Sequence, residues 1–418
     1  MKQAASLLLT CASLAVTSFA FVIPKHINIQ NCRRKGLSTR YSTEPAAALH
    51  AAPKRLPDNA DGVLYVNDRC IDCATCSHFA PTIFSRTNLG HHIVHTQPST
   101  EHEIDTARAA LEACPVAAIR IETSAQRHHR GEETLLSPDD VALAKNLTLS
   151  TRLNGRSYPF PRQLTEHVWY LGHHNEHSFG ATPYLTFIKS EESQTNTWIM
   201  IDSPRYCQSA VETVLSLTGP SGPDYLFLTH VDDTADHEKW KLRFPLLQRI
   251  FHAKELGRNN WLGDATLEQV EILVQPNVPH DYDDNTRNSG PDALQAYDLT
   301  GRALSAREVD AQTGVVIYHT PGHSPGSISL LLKSDGVLFS GDTLGYTDRT
   351  KTLTGFPRYG RDLRLQKATL DQMEAIPWDV VAPGHGHARD YRGKPDVRSK
   401  ELLDAKKELN DVFAKRRR

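Results

Sequence analysis

The sequence predicts an α+β protein made of two unlike domains, and three observations carry that prediction. Residues 56–122 hold a short strand, a helix and a closing strand in a compact run; residues 123–160 are polar and broken by Pro and Gly; and from about Gln163 short apolar strands alternate with helical stretches. The 418-residue length is enough for two cores. The expected division is therefore 1–20, 21–55, 56–122, 123–160 as a linker, and 161–418.

The first two segments read as targeting sequence. Leu7–Val16 is apolar, follows Lys2, and is too short to span a bilayer, while Ser18-Phe19-Ala20 supplies the small residues of a signal-peptidase site. Phe21–Arg55 is basic and acid-poor, with Glu44 as its one acid, which is the composition of a transit peptide. A signal peptide, Phe21 at the new N-terminus and a transit peptide together resemble the bipartite presequences of algae with complex plastids. The expected destination is the plastid (chloroplast) stroma, and the mature protein is expected to be free of membrane. Taking the eight Lys/Arg and one acid of residues 1–55 from the chain's 47 basic and 49 acidic residues leaves 39 against 48, about −9. An acidic chain with no basic stripe gives no electrostatic case for nucleic acid.

In the compact run, Val63–Val66 alternates as a strand should, Ile104, Ala107 and Leu111 share one face of a helix over Glu101–Ala113, and Ala117–Ile121 reads as the closing strand. Further on, strands are expected at Trp198–Ile201, Tyr225–Leu228, Val315–Tyr318, Ile328–Leu332 and Val337–Phe339. Helices are expected at Gln208–Leu217, His237–Phe244, Leu363–Ile376 and Ser399–Ala414.

Two sets of metal-ligand residues sit in this frame. Cys70, Cys73 and Cys76 are spaced so that three thiolates on one loop can wrap a cubane, and Cys114, followed by Pro115, supplies the fourth corner. Zinc also uses C-x2-C pairs, but a third Cys three residues on and a lone C-P partner fit it poorly. The stretch resembles single-cluster 4Fe–4S ferredoxins, which implies a 4Fe–4S cluster, an electron-transfer role and a redox partner. Removal of Cys11 and Cys32 with the presequence leaves one further thiol, Cys207, expected to be a buried structural cysteine.

The second set runs from Thr229 to Gly386. It comprises His230, Asp232, Asp236 and His237, then His319-Thr-Pro-Gly-His323, then Ser340-Gly-Asp342-Thr343, then Pro383-Gly-His385-Gly386. These motifs resemble the metallo-β-lactamase superfamily, its glyoxalase-II-like branch most of all. The resemblance implies an αββα sandwich after the ferredoxin-like domain. It also implies an acyl substrate of thioester or lactone class attacked by metal-bound hydroxide, with Asp342 bridging two ions, zinc or iron, and Asp236 beside it as a catalytic carboxylate. The family's His-x-His-x-Asp-His becomes His230-Val-Asp232-Asp233-Thr-Ala-Asp236-His237, so a carboxylate stands at the second position and Asp236-His237 come two residues late. That exchange hardens the site toward iron or manganese. It leaves open a mononuclear iron site on His230, His323 and Asp342, of the kind in the superfamily's persulfide dioxygenases. A further alternative is an electron carrier with a non-catalytic second domain.

Among the remaining histidines, His173, His174 and His177 are expected on a surface loop, and the pairs His91-His92 and His128-His129 in solvent. Tyr346, Arg358 and Arg361 follow Asp342 closely enough to reach a small-molecule substrate.

Overall fold

The computed structural model describes residues 52–122, 136–148, 159–189, 195–275 and 294–416; residues 1–51 of the expected presequence and the His128-His129 pair lie outside them. The smaller domain pairs Leu64–Val66 (β1) with Ile119–Ile121 (β4), antiparallel, and Phe84–Arg86 (β2) with His92–Val94 (β3). Its main helix begins and ends where the sequence indicates, at Glu101–Ala113. Thr100 accepts from Glu103 N–H while the Glu103 carboxylate accepts from Thr100 N–H, a capping box. The stretch read as linker holds a helix, Pro138–Thr148, whose Leu147 is buried in the same core as Ala107 and Ala110. Its apolar positions Leu143 and Leu147 are four apart, a stripe too short to stand out among the polar residues around it.

Within residues 161–418 two seven-stranded sheets face each other. The first runs in the order Ile272–Val274 (β11), Gln248–His252 (β10), Tyr225–Phe227 (β9), Asn196–Ile201 (β8), Tyr184–Lys189 (β7), Val168–Tyr170 (β6) and Arg162–Thr165 (β5). The second runs Ala303–Leu304 (β13), Ala296–Tyr297 (β12), Val315–His319 (β14), Ile328–Leu332 (β15), Val337–Gly341 (β16), Val380–Pro383 (β19) and Arg389–Asp390 (β20). Gly345–Thr347 (β17) and Thr352–Thr354 (β18) form a separate antiparallel pair just after Asp342.

Strand alternation sorts the side chains into layers. Ile199, Ile201, Phe227 and Ile250 of the first sheet pack with Ile317, Leu330, Val337, Phe339 and Val380 of the second. The residues between them point outward. Met200, Leu226 and Leu228 meet Val211, Val214 and Trp240 of helices Gln208–Thr218 and His237–Arg243. Val316, Leu331, Leu338 and Val381 meet Leu363, Leu370, Leu402 and Leu409 of helices Leu363–Met373 and Pro395–Arg416. The central strands β14, β15 and β16 are buried throughout, as strands covered on both faces must be. This is the expected αββα sandwich.

The two domains share a core. Phe79 of the short helix Thr75–Phe79 stands edge-on to Phe160 at 5.3 Å and to Tyr170 at 5.4 Å. Polar links cross the same seam: Ser77 Oγ donates to Asp348 Oδ2 at 2.6 Å, and Glu112 Oε1 is 3.0 Å from His173 Nδ1. No helix among the described residues is long and apolar enough to cross a membrane.

Candidate metal centres

Cys70, Cys73, Cys76 and Cys114 line one cavity, none of them in a disulfide. The loop turns tightly because Asp72 and Ala74, on either side of Cys73, take left-handed backbone angles (φ 60° and 64°), and Ala117 does the same after Cys114 (φ 49°). Turns of this kind aim N–H groups inward. His92 N–H donates to Cys70 Sγ at 3.4 Å and Ala118 N–H to Cys114 Sγ at 3.2 Å. Burial pushes the Cys73 thiol up to about 12 and Cys76 well above the ordinary thiol value, the neighbouring sulfurs adding to both. For Cys70 burial acts the same way, but the bonds from His92 outweigh it and lower the pKa. Four converging thiols, three of them (Cys73, Cys76 and Cys114) raised by burial and by the neighbouring sulfurs, are a donor set that suits a cluster, whose irons supply the missing positive charge.

The second centre gathers at the C-terminal ends of strands, the end at which open α/β sheets present ligands. His230 follows β9, Asp342 follows β16 and His385 follows β19. Two overlapping groups result: His230, His323 and Asp342, and then Asp233, Asp342 and His385, with the donor atoms of each group within 4.8 Å of one another. Asp342 Oδ2 is 3.9 Å from His230 Nε2 and 3.7 Å from His323 Nε2, while its carboxylate accepts from His385 Nδ1 at 2.9 Å. Asp232 Oδ2 is 3.8 Å from both His230 Nε2 and His323 Nε2.

The fit to metal rests on buried polar atoms with nothing to bond. His230 Nε2, His385 Nε2 and both carboxylate oxygens of Asp233 are buried without a hydrogen-bond partner. Burial drives His230 down to about 4 and Asp233 well above its ordinary value. For His385 burial works toward a lower value, but the Asp342 and Asp233 carboxylates prevail and raise it to about 10. Asp342 is held low against its burial by His385, His323 and His230. Donors in this state suit a cation, which neutral imidazoles and ionised carboxylates would share.

An outer layer of bonds aims these ligands. His230 Nδ1 meets Thr229 Oγ1 at 3.0 Å, and that hydroxyl donates to Asp202 at 3.0 Å, which leaves Nε2 for the centre. Glu255, fully buried, accepts from Val231 N–H and Ser324 O–H and from Gly326 N–H, so one carboxylate ties the His230 loop to the His323 loop. Gln366 donates to the carbonyls of Thr343 and Gly355 and steadies the Asp342 turn. Gly384 has to be glycine, because a Cβ there would come within 2.6 Å of Asp233 Oδ2.

The structure thus brings together His230, Asp232, His323, Asp342 and His385 and leaves two expected residues outside. Asp236 has a left-handed backbone (φ 66°), and its carboxylate is engaged by Asn175 Nδ2, Tyr206 N–H and Lys239. His237 faces Asp264, Arg249 and Thr266. Asp233, which motif spacing does not single out, comes instead: the 3-10 turn Val231–Asp233 swings it back beneath the ligands. The signal was present, since an aspartate directly after Asp232 in a bulged loop has two faces to choose from.

Other expectations also change. His173 and His174 are buried at the domain seam, His174 Nδ1 lying 2.8 Å from Gly180 O and 3.3 Å from Thr75 Oγ1. His92 is buried beside Asp72 and Ser77. Tyr346 is covered by Arg389, and Arg361 N–H bonds the His323 carbonyl while Arg358 stacks on exposed Tyr359. Trp261 donates to Asp232 Oδ1 at 2.6 Å and stacks on Phe179 at 6.1 Å, both rings half-exposed.

The segment from Gly180 to Thr182 touches both centres. The Cβ position of Gly180 is 2.9 Å from Cys73 Cβ and 3.1 Å from Cys73 Sγ, so the cluster loop lies directly on this glycine. Two residues on, Thr182 N–H donates to the Gly384 carbonyl at 2.7 Å, on the peptide that leads into His385.

Comparison with known proteins matches this description. Residues 66–121 match the family "4Fe-4S single cluster domain of Ferredoxin I", and residues 261–385 the metallo-beta-lactamase superfamily. Ferredoxin MycCII of Micromonospora griseorubida is 39% identical over 57 residues, 14% of this chain and 77% of that protein. Among solved structures, DIM-1 metallo-beta-lactamase is 13% identical (TM-score 0.40), covering 60% of this chain and 97% of its own. A metallo-beta-lactamase family protein from Thermus thermophilus is 17% identical (TM-score 0.36), covering 61% and 81%. The chain belongs to the single-cluster 4Fe–4S ferredoxin family through residues 66–121, and carries that domain fused to one of the metallo-β-lactamase superfamily.

Proposed function

We propose that the chain is an oxidoreductase in which electrons enter at the ferredoxin domain and leave at the second centre, with dioxygen as the acceptor. The observation that carries this reading is the packing of Cys73 on Gly180, with Thr182 N–H bonded to the carbonyl of Gly384 beside His385. Cys70, Cys73, Cys76 and Cys114 would hold the cluster. His230, Asp232, His323 and Asp342 would hold one ion, and Asp233, Asp342 and His385 a second. Three carboxylates among six ligands favour iron over zinc. When bound, the cluster supplies one-electron steps and the ions polarise a small acceptor. The protein's own part is to aim His230 through Thr229 and Asp202, to lock the ligand loops through Glu255, and to shield the Asp232 side with Trp261 and Phe179.

Hydrolysis of a thioester or lactone is the second reading, and the shared Asp342 favours it. One pair of assays separates the two. Protein loaded with cluster and iron, given NADPH and a ferredoxin–NADP reductase, should consume oxygen in an electrode cell faster than the same mixture without it, and Cys73→Ser should abolish this increase. Acyl hydrolysis that survives at full rate in Cys73→Ser, with no oxygen uptake by the wild type, would favour the hydrolase. A soluble redox donor is the expected partner.

For location, we propose plastid delivery by residues 1–55. A reporter fused to them should reach the plastid and Phe21→Asp should divert it; secretion of the unaltered fusion would refute this.

A further inference from the structure

Cys207 belongs to neither centre, and its surroundings are not those of a structural cysteine. It is partly buried, at the N-cap of the eleven-residue helix Gln208–Thr218, and its Sγ lies 3.9 Å from His173 Nδ1 and 3.4 Å from Ser209 Oγ. The same His173 Nδ1 is 3.0 Å from Glu112 Oε1. His173 is 1% exposed, and its other ring nitrogen, Nε2, has no hydrogen-bond partner. A thiol and a carboxylate therefore converge on one nitrogen of a buried imidazole at the domain seam. The thiol is on the helix side, the imidazole on the loop after β6, and the carboxylate on the ferredoxin helix.

We propose that Cys207 is a modification site: a thiolate, paired with the His173 imidazolium that Glu112 orients, which reacts with hydroperoxides to give a sulfenic acid. This goes beyond the oxidoreductase reading and does not depend on it. In the reaction a thiolate electron pair attacks the terminal peroxide oxygen. The S–O bond forms as the O–O bond breaks, sulfur is oxidised by two electrons, and the departing alkoxide or hydroxide takes up one proton to leave as alcohol or water.

Geometry and charge agree on the thiolate. Burial raises the thiol pKa, but His173, Ser209 and the Ala210 N–H at the helix start outweigh it and bring Cys207 down to about 6. The other charged group facing this cluster is Arg205, which acts on Glu112. His173 itself is raised against its burial by Cys207 and Glu112, as a member of an ion pair should be. A thiol whose pKa lies below ambient pH is ionised yet still nucleophilic.

The test uses the full chain with its cluster in place. Equimolar hydrogen peroxide is added with a dione that traps sulfenic acids, and the protein is then peptide-mapped while the cluster absorbance near 400 nm is followed. The label should appear on Cys207 with the cluster band intact, and dithiothreitol given before the dione should erase it. Alkylation of Cys207 by iodoacetamide should rise with pH through a midpoint near 6 and level off. His173→Gln should move that midpoint upward and slow alkylation at pH 7 roughly threefold to tenfold, lost thiolate being partly offset by stronger nucleophilicity. A wild-type midpoint at the ordinary thiol value, or no adduct on Cys207, would overturn the proposal, and neither result depends on a variant folding.

Discussion

The cluster loop and the His230 loop each carry a run of ligand-type residues, and they differ in what fixes those residues in space. In the cluster loop the spacing is the geometry. Cys70, Cys73 and Cys76 lie within seven residues, two left-handed turns set their direction, and only Cys114 comes from elsewhere. At the second centre the ligands arrive from four separate loops, and the local run between His230 and His237 is selected by packing. Glu255 holds one end, a 3-10 turn reverses the chain, and Asn175, Tyr206 and Lys239 take Asp236 away. Spacing therefore identifies ligands where one loop supplies them, and misleads where several loops compete.

The largest expected effect that would break this contrast is at Asp342. Its carboxylate belongs to both donor groups. Asp342→Asn should strip the second centre of metal, by well over tenfold in affinity since even outer-layer losses cost about 10–100-fold, while iron and sulfide at the cluster stay unchanged by elemental analysis. Next comes the pair Asp233→Asn and Asp236→Ala: the first should lose about one ion per chain, and the second should keep its full content. Retention of all metal in Asp233→Asn would return the second ion to the residues the spacing favoured. Cys114→Ser should lose or convert the cluster, read from the absorbance near 400 nm, with the second centre's metal retained.

Smaller effects test the scaffold. Glu255→Ala leaves three buried donors without an acceptor, and should lower stability by about 3 kcal/mol in denaturant titration. Glu271 pairs with the buried guanidinium of Arg249, and although its burial opposes ionisation, bonds from Arg249 and Lys241 bring it down to about 2. A carboxylate with a depressed folded pKa stabilises above its unfolded value and loses that contribution as pH falls toward the folded one. Glu271→Gln should therefore cost about 1 kcal/mol at pH 7, given its partial exposure, and progressively less below about pH 4.

Much of this was legible in the chain. The helix Glu101–Ala113 and the strand Ile328–Leu332 lie where periodicity puts them, because each has one clear environment. His323, Asp342 and His385 stand out because each is flanked by glycine where the chain leaves or approaches a strand. What the chain conceals depends on contacts distant in sequence. His173 and His174 read as surface polar residues until the ferredoxin domain covers them, and Cys207 reads as a spare thiol until Glu112, nearly a hundred residues earlier, orients its histidine. The helix Pro138–Thr148 hides in a polar stretch because it buries little more than Leu147.

The account's central claim is that the two centres act as one conduit through Gly180, and a single-turnover measurement addresses it most directly. Protein reduced under anaerobic conditions and freed of excess reductant is mixed with oxygenated buffer, and the return of the cluster band near 400 nm is timed in the wild type and in Asp342→Asn. The account predicts rapid reoxidation in the wild type and a rate at least about tenfold slower in the variant that lacks the second centre's metal. Equal rates in the two proteins would contradict it, since the cluster would then be meeting oxygen without the second centre.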